Sequence, residues 1–301
     1  MIVGATASGK SAIALEVARR RPGVELVSMD SMALYRGMDI GTAAPTAADR
    51  AEVPHHLLDL VDPTEDFTVS DFQVAAREAL AGMEDRGSRA VLVGGTGLHV
   101  RAVVDDLEIP GRYDEVRAAL EADDDTSGLH ARLAALDSVA AGRMEATNRR
   151  RVVRALEVTL GSGRPFSSFG PGLEAYPATP FTQVGLRVDR DVMDRRIAER
   201  YQRQLEDGFL DEVRALEGLD GGLSRSAAQA LGYKELLAHL RGDRTLEDAV
   251  ADAVVATRRF ARRQERWFRR DPRIEWFDVA EDPLEALDGV LERFDRCGAP
   301  G

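Results

Sequence analysis

The chain has 301 residues, 44% hydrophobic and 31% charged, which suits one large or two modest soluble domains with a substantial core. No apolar run nears the ~20 residues that span a bilayer, no basic-then-apolar leader opens the chain, and the single cysteine, Cys297, excludes an intrachain disulfide and a cysteine-built zinc site. A cytoplasmic protein with no membrane partner is expected, and a net charge of -12 argues against indiscriminate coating of nucleic acid while leaving room for local basic surfaces.

The apolar stub Met1-Ile2-Val3 leads into Gly4-Ala5-Thr6-Ala7-Ser8-Gly9-Lys10-Ser11, the G-x-x-x-x-G-K-S pattern of a phosphate-binding loop (P-loop). A helix-forming run, Ala12 to Ala18, follows. In that strand-loop-helix context the glycines let the backbone wrap a phosphate, and the amides and dipole at the helix start favour negative charge. Lys10 then reaches the terminal phosphate and the Ser11 hydroxyl ligates magnesium. Only three residues precede Gly4, where such a loop normally hangs from a strand of about five, so the first strand is short or the start lies upstream of Met1. Of 40 basic residues only Lys10 and Lys234 are lysines. Such survivors mark places where a compact ammonium serves and a guanidinium does not, which makes Lys234 a candidate site or a leftover surface residue.

Glu25 to Met29 reads as a short strand ending at Asp30-Ser31, 71–83 as a helix, and Arg89 to Val93 as a buried strand stopping at Gly94-Gly95-Thr96-Gly97. This alternation predicts an α/β fold, a P-loop NTPase-like parallel sheet flanked by helices, with ligands beyond the carboxyl ends of the strands. The loops at Gly4, Asp30 and Gly94 should converge there. An aspartate at Asp30 can orient magnesium, accept a proton or cap a turn. The strand before Gly94 lacks the acidic magnesium ligand that ATP-hydrolysing members of this loop class carry. His55-His56 reads better as loop packing than as metal ligation.

Apolar positions from Val116 to Val158 indicate a helical insertion over 113–180, the core being 1–112 and 181–301. Phe181 to Val188 is a returning strand. Asp191 to Leu219 reads as one long helix, because Ile197, Tyr201, Leu205, Phe209 and Val213 recur every fourth residue. Helices near 225–240 and 245–270 and a strand at 274–277 follow. Two arginine clusters stand out. Arg149, Arg150, Arg151 and Arg154 lie in the insertion, and seven arginines between Arg258 and Arg270 interleave with Phe260, Trp267 and Phe268. Arginine with aromatics suits phosphate contact and base stacking, or a solvated face over a core stripe.

Together these residues resemble the tRNA dimethylallyltransferase (tRNA isopentenyltransferase) family along nearly the whole chain. The match rests on Gly4–Ser11, the block Asp30-Ser31-Met32-Ala33-Leu34-Tyr35-Arg36-Gly37-Met38-Asp39-Ile40-Gly41-Thr42-Ala43, Pro54–Asp59, Val93–Leu98, Arg154–Val158, Gly232–Glu235 and Arg262–Phe268. Two positions depart from the family pattern: Ala5 stands for a usual proline and Ala33 for a frequent glutamine.

The resemblance implies transfer of a dimethylallyl group from dimethylallyl diphosphate to N6 of the adenosine 3′ to the anticodon, with magnesium as cofactor. The partners it implies are the tRNA anticodon stem-loop and the prenyl donor, and the protein is expected to be a monomer. Under it, Gly4, Ala5, Thr6, Ala7, Ser8, Gly9, Lys10 and Ser11 hold the diphosphate, and Asp30, Thr96, Lys10 and Arg200 are catalytic. Asp30, Ser31, Met32, Ala33, Thr96, Arg117, Arg150, Arg151, Val152, Val153 and Arg154 face tRNA. A P-loop kinase of a nucleoside or other small molecule, binding ATP, is the alternative; a non-catalytic RNA-binding module is the third reading.

Overall fold

The computed structural model describes residues 1–297. They fall into two compact units, Met1–Val104 with the chain from Ala178 onward, and Asp105–Pro177.

The first unit is built on a six-stranded parallel sheet. Its strands are β1 (Ile2–Gly4), β2 (Val24–Ser28), β3 (His55–His56), β4 (Arg89–Gly94), β5 (Gln183–Val188) and β6 (Ile274–Val279), in the order β3-β2-β4-β1-β5-β6. The central strand β1 and the body of β4 read as apolar runs because both faces are covered; in β1, Ile2 is 3% exposed and Val3 fully buried. The helices of this unit that precede the second unit are α1 (Lys10–Arg20), α2 (Ala47–Glu52), α3 (Val69–Asp85) and α4 (Gly97–Val104).

The second unit is helical, with α5 (Asp114–Glu121), α6 (Thr126–Leu136), α7 (Ser138–Gly142) and α8 (Arg149–Ser162). Leu120, Leu129, Leu133, Val152, Val153 and Leu156 form its own core. It begins at Asp105 and ends at Pro177, where the sequence pattern alone points to 113 and 180. Local bonds tie 105–112 to it: Glu108 pairs with Arg164 at 3.1 Å, and the Pro110 and Gly111 carbonyls accept from Arg154 at 2.8 and 3.1 Å.

The chain returns to the first unit through β5 and completes it with α9 (Arg190–Glu206), α10 (Phe209–Glu217), α11 (Tyr233–Leu240), α12 (Leu246–Phe268) and α13 (Leu287–Arg296). The expected single helix over 191–219 is therefore two. Gly208 adopts φ 98° in the left-handed region and breaks the ladder there. The apolar stripe still works across the break, with Ile197, Tyr201, Phe209 and Val213 buried.

His55 and His56 form the edge strand. His55 Nδ1 lies 2.7 Å from the Val53 carbonyl, and His56 Nε2 lies 2.6 Å from the Glu25 carboxylate. Among the described residues no group of three or more His, Cys, Asp or Glu side chains could hold a metal, and no helix is long and apolar enough to cross a membrane.

Candidate active site

β1 sits at the point where strand order reverses, with β4 on one side and β5 on the other. In an open α/β sheet that is where a ligand crevice forms, at the carboxyl ends of the strands. The loop Gly4–Ser11 leaves β1 there. Its curl depends on two residues in the left-handed region, Ala7 at φ 63° and Gly9 at φ 88°. The Ser8 amide closes the turn on the Ala5 carbonyl at 3.2 Å. Ala5 is 6% exposed and packs into the core, so the missing proline costs no contact to a ligand.

β4 separates this loop from the end of β2. The segment Gly94-Gly95-Thr96 therefore stands beside both the phosphate loop and Asp30. Its glycines are packed against protein: a Cβ on Gly94 would lie 2.6 Å from the Met29 backbone, and one on Gly97 would lie 2.2 Å from the Trp267 ring nitrogen. The hydroxyl of Thr96 meets the Ser31 amide and hydroxyl, each at 3.4 Å. Asp30 accepts the Met32 amide on Oδ1 at 2.8 Å, a local turn that fixes the carboxylate and leaves Oδ2 for other work.

α9 supplies the third side. Arg196, Arg200 and Gln204 are four residues apart and share one helix face. Arg196 donates to the Ala7 carbonyl at 3.1 Å. Arg200 donates to the Thr6 hydroxyl and to the Gly41 carbonyl, each at 3.1 Å. Gln204 donates to the same Gly41 carbonyl at 3.1 Å. The Gly41 loop is held from behind by Glu212, whose carboxylate accepts the amides of Asp39, Ile40 and Gly41 at 3.0, 2.7 and 3.1 Å and the Tyr233 hydroxyl at 2.6 Å. Nothing in the sequence singles out Glu212, Gln204 or Arg196, because their partners are backbone groups from distant segments.

Two cations in this crevice have no carboxylate partner among the described residues. Lys10 donates only to the Ala5 carbonyl at 3.3 Å. Burial lowers its ammonium to about 8, with Asp30 opposing the shift and Arg200 adding to it. Arg200 bonds only neutral oxygens, its Nε is buried without a partner, and burial lowers its guanidinium. Two desolvated positive charges side by side are costly unless an anion completes them. Together with the loop amides they have the chemistry to hold a polyanion of phosphate type.

His99, one turn into α4, packs edge-on against Phe72 at 4.6 Å, and burial pulls its imidazole down to about 4, so it is neutral. Ser11 is exposed at the start of α1. A lone exposed hydroxyl suits magnesium, which keeps several waters and takes its remaining oxygens from substrate phosphates. Lys234 is exposed on the first turn of α11, and nothing in the structure gives it a ligand.

The residues expected to face tRNA divide sharply. Arg150 and Arg151 are exposed on α8. Val152 and Val153 are 0% and 2% exposed, packed in the core of the helical unit, so their side chains are not an RNA surface. The helix register requires this, since four successive residues cannot all face solvent. Arg154 and Arg117 are both committed to the fully buried Glu157, at 2.6 and 3.3 Å, and Glu157 also accepts the Tyr113 amide at 3.0 Å. In the first unit Ala33 is 7% exposed and belongs to the core.

The second arginine cluster has mixed partners. Arg258 donates to the Asp194 carbonyl at 2.9 Å and Arg269 pairs with Glu265 at 2.6 Å, while Phe268 is core.

The sequence pattern of the IPP transferase family matches residues 33–271. A tRNA dimethylallyltransferase of Pseudarthrobacter chlorophenolicus is 47% identical over 288 residues, 95% of each chain. That of Streptomyces coelicolor is 49% identical over 300 residues, 97% of this chain and 95% of its own. A solved tRNA isopentenylpyrophosphate transferase of Bacillus halodurans superposes with a TM-score of 0.71 at 37% identity, covering 98% of this chain and 95% of its own. A eukaryotic dimethylallyltransferase acting on tRNA, at 23% identity, shares the fold with a TM-score of 0.78 over 98% of this chain and 76% of its own.

Proposed function

The chain belongs to the IPP transferase family, and from that premise we propose that it transfers a dimethylallyl group from dimethylallyl diphosphate to N6 of the adenosine 3′ to the tRNA anticodon, releasing diphosphate. The observation that carries the reading within the site is the pair of desolvated cations, Lys10 and Arg200, with no carboxylate partner beside the phosphate loop.

In this reading the diphosphate lies along Gly4–Ser11, with Lys10 and Arg200 taking up the charge that grows as the C–O bond to the prenyl carbon breaks. The electron pair of that bond leaves with the diphosphate. The adenine amine nitrogen forms the new bond to carbon, and Asp30 accepts the proton it loses. Thr96 and Ser31, joined to each other, hold the acceptor side of the crevice beside Asp30. Ser11, with the diphosphate, would hold a magnesium ion, which would supply further neutralisation of the leaving group. The target base reaches Asp30 only when drawn out of the anticodon stack. In the helical unit, Arg150 and Arg151, exposed on α8, would meet RNA phosphates.

The kinase alternative is not favoured. β4 ends in Gly94 without an acidic ligand, and the relatives are prenyltransferases. Separate calorimetric titrations with dimethylallyl diphosphate and ATP test the donor choice. The prenyl donor should bind with magnesium and ATP should compete weakly; tight ATP binding with no response to the prenyl donor would refute it.

A further inference from the structure

Gln264 lies on α12 inside the arginine-rich run whose sequence suits either an RNA surface or a solvated face. It does something else. The side chain is 8% exposed, and both ends of its amide are used. Its Oε1 accepts the Thr6 amide of the phosphate loop at 2.8 Å. Its Nε2 donates to the Gly95 carbonyl at 2.9 Å. The two loops come from different strands, β1 and β4, and no covalent element joins them near the crevice. A Cβ on Gly95 would lie 2.4 Å from Nε2, so the glycine is what lets the amide approach.

We propose that Gln264 is a positioning residue for prenyl transfer, setting the spacing between the loop that carries the donor and the loop that carries Thr96 on the acceptor side. The proposal rests on the reading of this crevice as the prenyl-transfer site. A carboxamide offers one donor and one acceptor a fixed distance apart, so it measures the gap between an amide and a carbonyl. Each loop end has a catalytic consequence. Thr6 carries the hydroxyl that receives Arg200, and Gly95 precedes Thr96, which meets Ser31. The Thr6 amide is already taken by Gln264, so the diphosphate is left to the other amides of the loop. Displacing one loop against the other by a fraction of an ångström separates the reacting atoms without removing a group that binds either substrate. Geometry of that kind governs turnover more than affinity.

The test is Gln264→Glu, with Gln264→Met as a control that keeps the bulk. An ionised carboxylate at 264 still accepts from Thr6 but cannot donate to Gly95, and it faces a carbonyl oxygen. A protonated carboxyl both donates and accepts, as the amide does. Burial raises the pKa of that carboxyl towards neutrality. At about pH 8, kcat of Gln264→Glu should fall about tenfold or more while KM for the prenyl donor and for tRNA changes less than about threefold. The ratio of variant to parent kcat should then rise as pH is lowered towards about 6. Gln264→Met should have low kcat at every pH, and it carries the test alone if the Glu variant does not fold. A Gln264→Glu kcat within twofold of the parent, or a deficit that does not respond to pH, would overturn the proposal. So would near-parental kcat in Gln264→Met. A parent chain that fails to transfer prenyl groups overturns the functional reading, and this proposal with it. An active parent beside an unaffected variant overturns the proposal alone.

Discussion

The Arg200 guanidinium donates to the Thr6 hydroxyl at 3.1 Å, which seats a desolvated cation on the phosphate loop with Asp30 as a neighbouring charge and no carboxylate bonded to it. Lys10 stands in the same condition, bonded only to the Ala5 carbonyl. Side chains of one charge gather this way only where a ligand of the other charge offsets the cost.

Lys10→Ala removes a cation aimed at the leaving diphosphate. The expected loss is about 2–4 kcal/mol of transition-state stabilisation, by analogy with removal of an oxyanion donor. Single-turnover rates with saturating donor measure it. Near-normal rates would mean that the loop does not hold the diphosphate.

The Lys10 ammonium has its ordinary value depressed to about 8 by burial, so above that pH the free enzyme is increasingly neutral at this position. An arriving diphosphate favours the charged form and must then bring a proton with it. Donor affinity should fall as pH rises through about 8, approaching tenfold per unit, and binding above that pH should take up a proton. The sign for folding is the opposite. A lysine whose folded pKa lies below its unfolded value weakens the ligand-free fold below about 8, and that cost is relieved as pH rises towards the unfolded value. Calorimetry in buffers of different ionisation enthalpy reads the proton uptake. Donor binding without a pH trend between about 7 and 10 would show that Lys10 does not contact the diphosphate.

Asp30 holds its carboxylate in place through the Met32 amide and keeps one oxygen unbonded. Asp30→Ala should lower turnover by about 100-fold or more at saturating tRNA, with tRNA affinity little changed. A variant that loses tRNA binding and keeps its turnover would make Asp30 a docking residue only.

In the helical unit, the arginines should behave in two ways. Arg150→Ala with Arg151→Ala removes exposed charge, so tRNA affinity should drop and its salt dependence flatten, because fewer counterions are released. Melting temperature should hold. Arg154→Ala strips a partner from the fully buried Glu157, which keeps Arg117 and the Tyr113 amide. It should cost stability, about 1–3 kcal/mol. An unchanged salt slope in the Arg150/Arg151 double variant would remove the helical unit from tRNA binding.

The phosphate loop, the parallel sheet and Asp30 at the end of β2 are legible in the chain because each is a local pattern. Glycine spacing, apolar runs and a strand-end acid are written within a few residues of each other. The block from Asp30 to Ala43 is legible only as a resemblance. Its physical basis, Glu212 taking the amides of Asp39, Ile40 and Gly41, joins segments far apart in the chain and leaves no spacing to read. Gln264 escapes for the same reason, hidden among arginines whose charge stands out first. The split at Gly208 is masked because the apolar stripe runs through it unchanged. Val152 and Val153 join the expected tRNA surface only as members of a continuous stretch, whereas a helix turns each successive residue to a different side, and these two point into the core.

If the phosphate loop presents a prenyl diphosphate to the base held at Asp30, the purified chain should carry out the whole transfer by itself. The most direct measurement incubates it with magnesium, unmodified tRNA and dimethylallyl diphosphate labelled in the prenyl carbons, then digests the RNA to nucleosides for mass analysis. The expected result is label in one adenosine, 3′ to the anticodon, with one diphosphate released per prenyl group, and labelling slowed about 100-fold or more with Asp30→Ala. Label absent from RNA, with phosphate instead passed from ATP to a small acceptor, would contradict it.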